Sequence, residues 1–181
     1  MLEIRVHGLG GEGVVKLSEF LGLTAVRCGM WAHSFPFFGT EVRGAAVKAF
    51  TRIDQAPINL KTYIYNPDVV ILTNDLLLEG YGITDGLKES GYLLINSTKP
   101  AQSLAGEGGY GIHALDATQM ALDIIGRPIA NTVLFGAFLS LAGLMPLATA
   151  EEVITTEFSD KIAAVNLKAL RAGFETVKGV K

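Results

Sequence analysis

Gly8, Gly10 and Gly13 stand in the spacing Gly-x-Gly-x-x-Gly, with Gly11 among them, where an apolar strand pattern over residues 2–7 gives way to a helical pattern over residues 14–28. Glycine at such positions lets the chain turn tightly and lets backbone N–H groups approach an anion. The helix that follows aims the positive end of its dipole at the same place. The chemistry this suits is holding a phosphate or pyrophosphate. The purely structural reading is close packing of strand on helix, and the spacing by itself leaves both open. A nicotinamide site needs in addition an Asp or Glu about twenty residues past the glycines to hold the ribose. That region carries Trp31, His33 and Phe35 instead.

A second group of residues with chemical potential runs from Ser34 and Phe35 through Pro36, Phe37, Phe38 and Gly39 to Arg43 and Gly44. Aromatic rings in a turn-rich segment stack on flat heterocycles, and an arginine beside a glycine reaches a phosphate or carboxylate with little obstruction. The same letters describe a hydrophobic loop that fills a subunit contact. Asn131 and Thr132 precede an apolar helical run and read either as a helix cap or as ligand contacts. His7, His33 and His113 have no second ligand at metal spacing, so no metal site is expected. There is no Gly-x-Ser-x-Gly elbow, and Cys28 lies at the C-terminal end of a helical pattern, the wrong end to activate a thiol. No catalytic residue is therefore assigned to this chain.

The elements that must position these residues alternate. Strand patterns at residues 2–7, 45–53, 67–73, 92–96 and 112–115 alternate with helical patterns at 14–28, 75–89 and 117–125. Residues 31–39 read as an irregular functional loop. The C-terminal third reads as helical: residues 132–143, then 149–158 with Thr149 as N-cap and Glu152 as its capping-box partner, then 161–177. This pattern predicts an α/β, three-layer Rossmann-like fold with a largely parallel, mixed sheet, in one domain over residues 1–181.

Composition narrows the function. Of 181 residues, 49% are hydrophobic and only 18% charged, against roughly 25% charged in soluble domains, which points to a large buried interface with other chains. A net charge of −3 without any basic stripe disfavours nucleic acid. One cysteine excludes an intrachain disulfide and an iron–sulfur cluster held by this chain alone, and it suits a reducing, cytoplasmic compartment. Glu3 and Arg5 interrupt the start of the chain where a secretory segment would be apolar. The uncharged run over 128–150 is long enough to span lipid by count. Its Asn131, Thr132, Ser140 and Pro146 favour a helix buried within protein, so no membrane is expected.

Together, the segment His7-Gly8-Leu9-Gly10-Gly11-Glu12-Gly13, the segment from Ser34 to Ala45, the strand from Val47 to Ile53, Pro67-Asp68-Val69-Val70 and the late segment from Gly126 to Thr132 resemble the gamma subunit or domain of the 2-oxoacid:ferredoxin oxidoreductases. Pyruvate:ferredoxin oxidoreductase is the best-known of these enzymes, and the resemblance spans nearly the whole chain. It departs at Glu12, where the family usually has Gln, and at Thr40, where it usually has Pro. The resemblance implies a subunit of a heteromeric enzyme that oxidatively decarboxylates a 2-oxoacid such as pyruvate to an acyl-CoA and reduces ferredoxin. Thiamine diphosphate and iron–sulfur clusters would sit on alpha, beta and delta-type partner subunits, and this chain would not be active alone. It further implies that this chain contacts coenzyme A, with Gly8, Gly10, Gly11, Gly13, Ser34, Phe35, Arg43, Asn131 and Thr132 as candidate contacts. The alternative is a free-standing Rossmann-type oxidoreductase that binds NAD(P).

Overall fold

The computed structural model describes residues 1–37, 45–104 and 108–179. Six strands, β1 (Leu2–Leu9), β2 (Trp31–Phe37), β3 (Ala46–Asp54), β4 (Val69–Leu72), β5 (Tyr92–Asn96) and β6 (Gly111–Leu115), form one sheet in the order β2-β3-β1-β4-β5-β6. β1, β4, β5 and β6 are mutually parallel, whereas β3 runs antiparallel to both β1 and β2. Five helices follow the order α1 (Val14–Arg27), α2 (Ala117–Ile125), α3 (Asn131–Ala142), α4 (Leu147–Glu157) and α5 (Asp160–Thr176). This is the α/β fold with a mixed, largely parallel sheet and helical C-terminal third that the alternation of patterns predicts.

Because side chains alternate along a strand, each face of the sheet has its own cover. Ile4, Val6, Ala49, Ile53, Val69, Ile71 and Leu94 share one core with residues from all five helices. Val70, Leu72, Leu93 and Ile95 point the other way, onto Leu77, Ile83, Leu87 and Leu104. This third layer is not helical. The helix expected over 75–89 is a single 3-10 turn at Asp75–Leu77, since Gly80, Gly82 and Gly86 all take positive φ and end any helical run.

Over β1 and β3 the irregular cover is fastened by two buried arginines. The Arg52 guanidinium, 2% exposed, bonds Glu3 at 2.9 Å and donates to the carbonyls of Leu60, Thr62 and Tyr63. The Arg5 guanidinium donates to the carbonyls of Ile64, Tyr65, Ile83 and Asp85 and, through Nε, to His7 Nε2 at 2.9 Å. Irregular chain leaves carbonyls unpaired, and a forked five-donor side chain is the group best suited to collect them.

The uncharged run is explained by α3, whose residues from Asn131 to Leu139 are all buried. Its contact with α5 is backbone on backbone. A Cβ at Gly136 would strike the Leu170 carbonyl, and one at Gly173 would strike the Val133 carbonyl. No described helix is long and apolar enough to cross a membrane.

Two further expectations are corrected. Of the loop expected over 31–39, residues 31–37 are an edge strand because they pair antiparallel with β3, which turns Ala32 and Ser34 toward α1 and His33 and Phe35 toward the opposite face, while 38 and 39 lie outside the described residues. α4 starts at Leu147 behind Pro146, so Thr149 lies inside its first turn and caps nothing. Proline already supplies the extended entry there.

Candidate functional site

The glycine loop joins β1 to α1, with Gly11 at φ 98° and Gly13 at φ 81°, both left-handed. Helix α1 starts behind Gly13 with no side-chain cap among the described residues and no acidic residue in its first turn, which suits its N-terminal N–H groups to an anion. The Gly10 N–H is spent on the Ala45 carbonyl at 3.1 Å; among the described residues no acceptor meets the N–H of Gly11 or Gly13. Asn131 reaches the loop from the start of α3, its amide 3.5 Å from the Gly13 carbonyl. A Cβ on Gly13 would meet that amide, so this glycine permits the approach.

Glu12 turns inward. Its carboxylate accepts hydrogen bonds from the Leu9 N–H at 2.8 Å, the Thr73 hydroxyl at 2.6 Å and the Asn74 amide at 2.7 Å. Gly8 leaves the room for this contact, since a Cβ there would strike the Thr73 hydroxyl and come within 2.9 Å of Glu12. The carboxylate thereby fastens the end of β1 to the end of β4, with hydrogen bonds rather than a cation compensating its charge.

Beside it opens a cleft of about 470 Å³, lined by Glu12, Thr73, Asn74, Asn96, Asp116, Thr118 and Ala130 among others. It lies at the carboxyl ends of β1, β4, β5 and β6, beside the point where the chain leaves β1 for one side of the sheet and returns on the other. Open α/β sheets bind ligands at such a switch point. Its side chains are mutually tied: Asn96 donates to the Thr73 carbonyl and the Thr118 hydroxyl, both at 2.8 Å, and accepts from the Thr118 N–H. Asp116 caps α2 through the Gln119 N–H at 2.9 Å.

The histidines stand apart from this site chemically. His7, 1% exposed, is pushed down to about 3 by burial and by the charges of Arg5 and Lys48, so it is a neutral acceptor for Arg5. Burial lowers His113 as well. His33 packs its ring on Phe35 at 5.0 Å, in a cluster that continues through Phe50 and Tyr63. Among the described residues no group of three His, Cys, Asp or Glu could hold a metal ion.

Of the residues singled out from sequence, Gly8, Gly10, Gly11, Gly13 and Asn131 come together at the loop. Thr132 is fully buried, with its hydroxyl on Asn166 at 2.8 Å, tying α3 to α5. Ser34 donates to the Ser18 carbonyl at 3.1 Å and lies 3.1 Å from the Thr51 hydroxyl, pinning β2 to α1, while Phe35 lies on the opposite face of the same strand. Arg43 lies outside the described residues. Thr73, Asn74, Asn96 and Thr118 were missed, although polar pairs follow both apolar runs that became β4 and β5, and the carboxyl ends of parallel strands are where such pairs face a ligand cleft.

The topology also removes the ribose position of a dinucleotide fold. There the second strand lies beside the first and carries the acid at its end; here antiparallel β3 separates β2 from β1.

Comparison with known proteins agrees with this architecture. Residues 3–176 match the family model described as pyruvate ferredoxin/flavodoxin oxidoreductase. The pyruvate/ketoisovalerate oxidoreductases common subunit gamma of Thermococcus litoralis is 42% identical over 178 residues, covering 97% of this chain and 96% of the relative. The crystal structure of pyruvate oxidoreductase subunit PORC from Thermotoga maritima superposes with a TM-score of 0.86 at 36% identity, covering 96% of this chain and 95% of that one. A 2-oxoglutarate:ferredoxin oxidoreductase from Magnetococcus marinus, solved with 2-oxoglutarate, coenzyme A and succinyl-CoA bound, shares the fold at a TM-score of 0.80 and 22% identity, over 99% of this chain and 31% of that longer one.

Proposed function

This chain belongs to the pyruvate ferredoxin/flavodoxin oxidoreductase family and is a gamma-type subunit of a 2-oxoacid:ferredoxin oxidoreductase, and we propose that it serves that enzyme by docking the phosphates of coenzyme A, the acyl acceptor. The observation that carries this reading is the uncapped start of α1, at the positive end of the helix dipole, preceded by the N–H groups of Gly11 and Gly13 that meet no acceptor among the described residues. Asn131 adds an amide at the same place. Arg43, which lies outside the described residues, enters this reading as its candidate cation from the sequence alone. Gly8 and Gly10 shape the loop, Ser34 and Thr132 brace the elements that carry it, and Phe35 backs Tyr63, a half-exposed ring on which a purine can stack.

Thiamine diphosphate and the iron–sulfur clusters are assigned to alpha, beta and delta-type partner chains, and ferredoxin to the assembled complex. The lone Cys28 supports that division and a reducing, cytoplasmic setting. A free-standing NAD(P) oxidoreductase has no support in a sheet where β3 takes the place of the ribose-binding strand.

The test is Gly11→Ala in the assembled oxidoreductase. The added methyl has open space around it but forces a residue with a Cβ into a left-handed backbone conformation, which disfavours the loop geometry that presents the N–H groups. The KM for coenzyme A should rise about tenfold with kcat nearly unchanged, the signature of lost uniform binding. An unchanged KM in a folded, assembled variant would reduce the loop to scaffold.

A further inference from the structure

β2 ends the sheet, and its outer edge pairs with no strand among the described residues. The ladder fixes which groups that edge presents. The Gly10 N–H bonds the Ala45 carbonyl, so the odd-numbered residues of β3 turn their polar groups toward β1 and the even-numbered ones turn theirs toward β2. Trp31, His33, Phe35 and Phe37, which pair with those even-numbered residues, therefore bond inward, and Ala32, Ser34 and Pro36 face outward. Both flanks of the edge are apolar. Trp31, His33 and Phe35 form a row on the irregular face, while Leu23 and Val26 of α1 line a shallow groove with Ala32 and Ser34 on the other. Trp31 and Val26 are 53% and 57% exposed.

We propose that this edge pairs with the same edge of a second copy of the chain, about a two-fold axis at His33, so that two sheets continue into one. In that register Ala32 and Ser34 of each copy exchange both backbone hydrogen bonds with Ser34 and Ala32 of the other. A register centred on Ser34 would set Ala32 against Pro36, which has no N–H. One centred on Ala32 would set Ser34 against Met30, whose N–H already bonds the Ala25 carbonyl at 3.0 Å. With the axis at His33 the two imidazoles face each other, and each Trp31 ring lies against Phe35 of the other copy, a cross-strand aromatic pair. His33 Nδ1 is buried without a hydrogen-bond partner among the described residues, and the facing imidazole supplies one.

The helices agree with the same axis. α1 lies over β2 and β3, with Ser18 bonded to Thr51 at 2.8 Å and Gly22 set over Ala32 and Ser34. Its axis is therefore about two strand spacings from that of its symmetry mate, roughly 9.6 Å, inside the range of about 8–10 Å at which helices pack. Gly22 over Ala32 and Ser34 also puts Leu23 level with the axis. Glu19 and Arg27 stand about one turn before and one turn after Leu23 on the same stripe, so in the antiparallel helix pair each Glu19 meets the Arg27 of the other copy. Their partners within the chain, Lys16 and Glu152, are exposed surface contacts at 3.1 and 3.8 Å, which leaves both charges available.

The test is cysteine cross-linking in the assembled oxidoreductase, with the lone native thiol removed by Cys28→Ser. Facing residues of a non-hydrogen-bonded antiparallel pair bring their Cβ atoms close enough for a disulfide. His33→Cys treated with copper phenanthroline should give a species of twice the 19.3 kDa chain mass. Trp31→Cys, whose two copies lie on opposite sides of the axis, should give roughly tenfold less. If His33→Cys fails to assemble, a mixture of Trp31→Cys and Phe35→Cys chains tests the same register. Leu23→Glu, added to His33→Cys, sets like charges across the axis and should cut the yield about tenfold. Glu19→Arg should cut it severalfold, and Arg27→Glu on top of that should restore it. Equal yields from His33→Cys and Trp31→Cys would overturn the register and with it the proposal. Cross-linking of His33→Cys only to a different subunit would overturn it in favour of another chain on this edge. A yield that Leu23→Glu leaves unchanged, or no dimer from any of these variants, would overturn it as well.

Discussion

The two faces of the sheet are covered by different kinds of chain, and each cover is held by the interaction its backbone requires. On the α1–α5 side the helices satisfy their own N–H and C=O groups, so the contact is dry and can close until backbones touch at Gly136 and Gly173. On the other side the cover is turns and extended chain whose carbonyls have no partners of their own, and Arg5 and Arg52 are drawn in to pair them. Burying an arginine is costly unless its donors are used, and here the same bonds satisfy both the cation and the loops. Apolar packing therefore secures the helical face, and charge-assisted hydrogen bonding secures much of the other.

The comparison is broken most severely at the helix crossing. Gly173→Val would drive a branched side chain into the Val133 carbonyl and should cost about 3 kcal/mol or more, read as a fall in the urea midpoint or as loss of soluble protein. Gly173→Ala should do the same to a smaller extent; a neutral result for both would mean that the helices are not in backbone contact.

Arg52→Met keeps the volume and removes the donors, which leaves Glu3 and three carbonyls unpaired, and should cost about 3 kcal/mol. Arg52→Lys should recover only part of this, because a point charge cannot reproduce the fork. Full recovery by lysine would show that charge alone matters on that face.

A pH profile sharpens the contrast at His7. Its folded value of about 3 lies below the ordinary value near 6.5, so between those limits the unfolded chain binds the extra proton. Stability is then complete above about pH 6.5 and falls as the pH drops toward 3, by about 2 kcal/mol between pH 7.5 and 5. His7→Gln retains an acceptor for Arg5 and should flatten that slope in urea titrations at the two pH values; an unchanged slope would assign it to other groups.

The smallest effect is expected at the exposed pair of Arg171 and Glu151, 2.6 Å apart on α5 and α4. Arg171→Ala should leave the thermal midpoint within error, because an exposed ion pair is screened and costs side-chain entropy.

Legibility from sequence follows the range of the interaction that places each residue. The glycine loop, the buried runs of β4 and β5 and the apolar α3 are local patterns and were readable as such. Residues 31–37 read as a loop because Pro36 and the aromatic cluster mimic one; only pairing with β3 makes them a strand. Residues 75–89 carry helical periodicity, yet glycines at positive φ turn them into cover for the sheet. Glu12 illustrates both levels. Its departure from the family's glutamine was visible in the sequence, but the direction of its carboxylate depends on Thr73 and Asn74, some sixty positions away.

What the amino-acid sequence determined by itself was the alternation of strand and helix, the glycine loop between β1 and α1 and the family to which the chain belongs, since these reside in periods and motifs a few residues long. Tertiary structure alone decided that β3 intrudes between β1 and β2, that two arginines hold the irregular face, and that a cleft lined by Thr73, Asn74, Asn96 and Asp116 adjoins the loop. Those features require groups distant along the chain to meet, and no local pattern encodes a meeting.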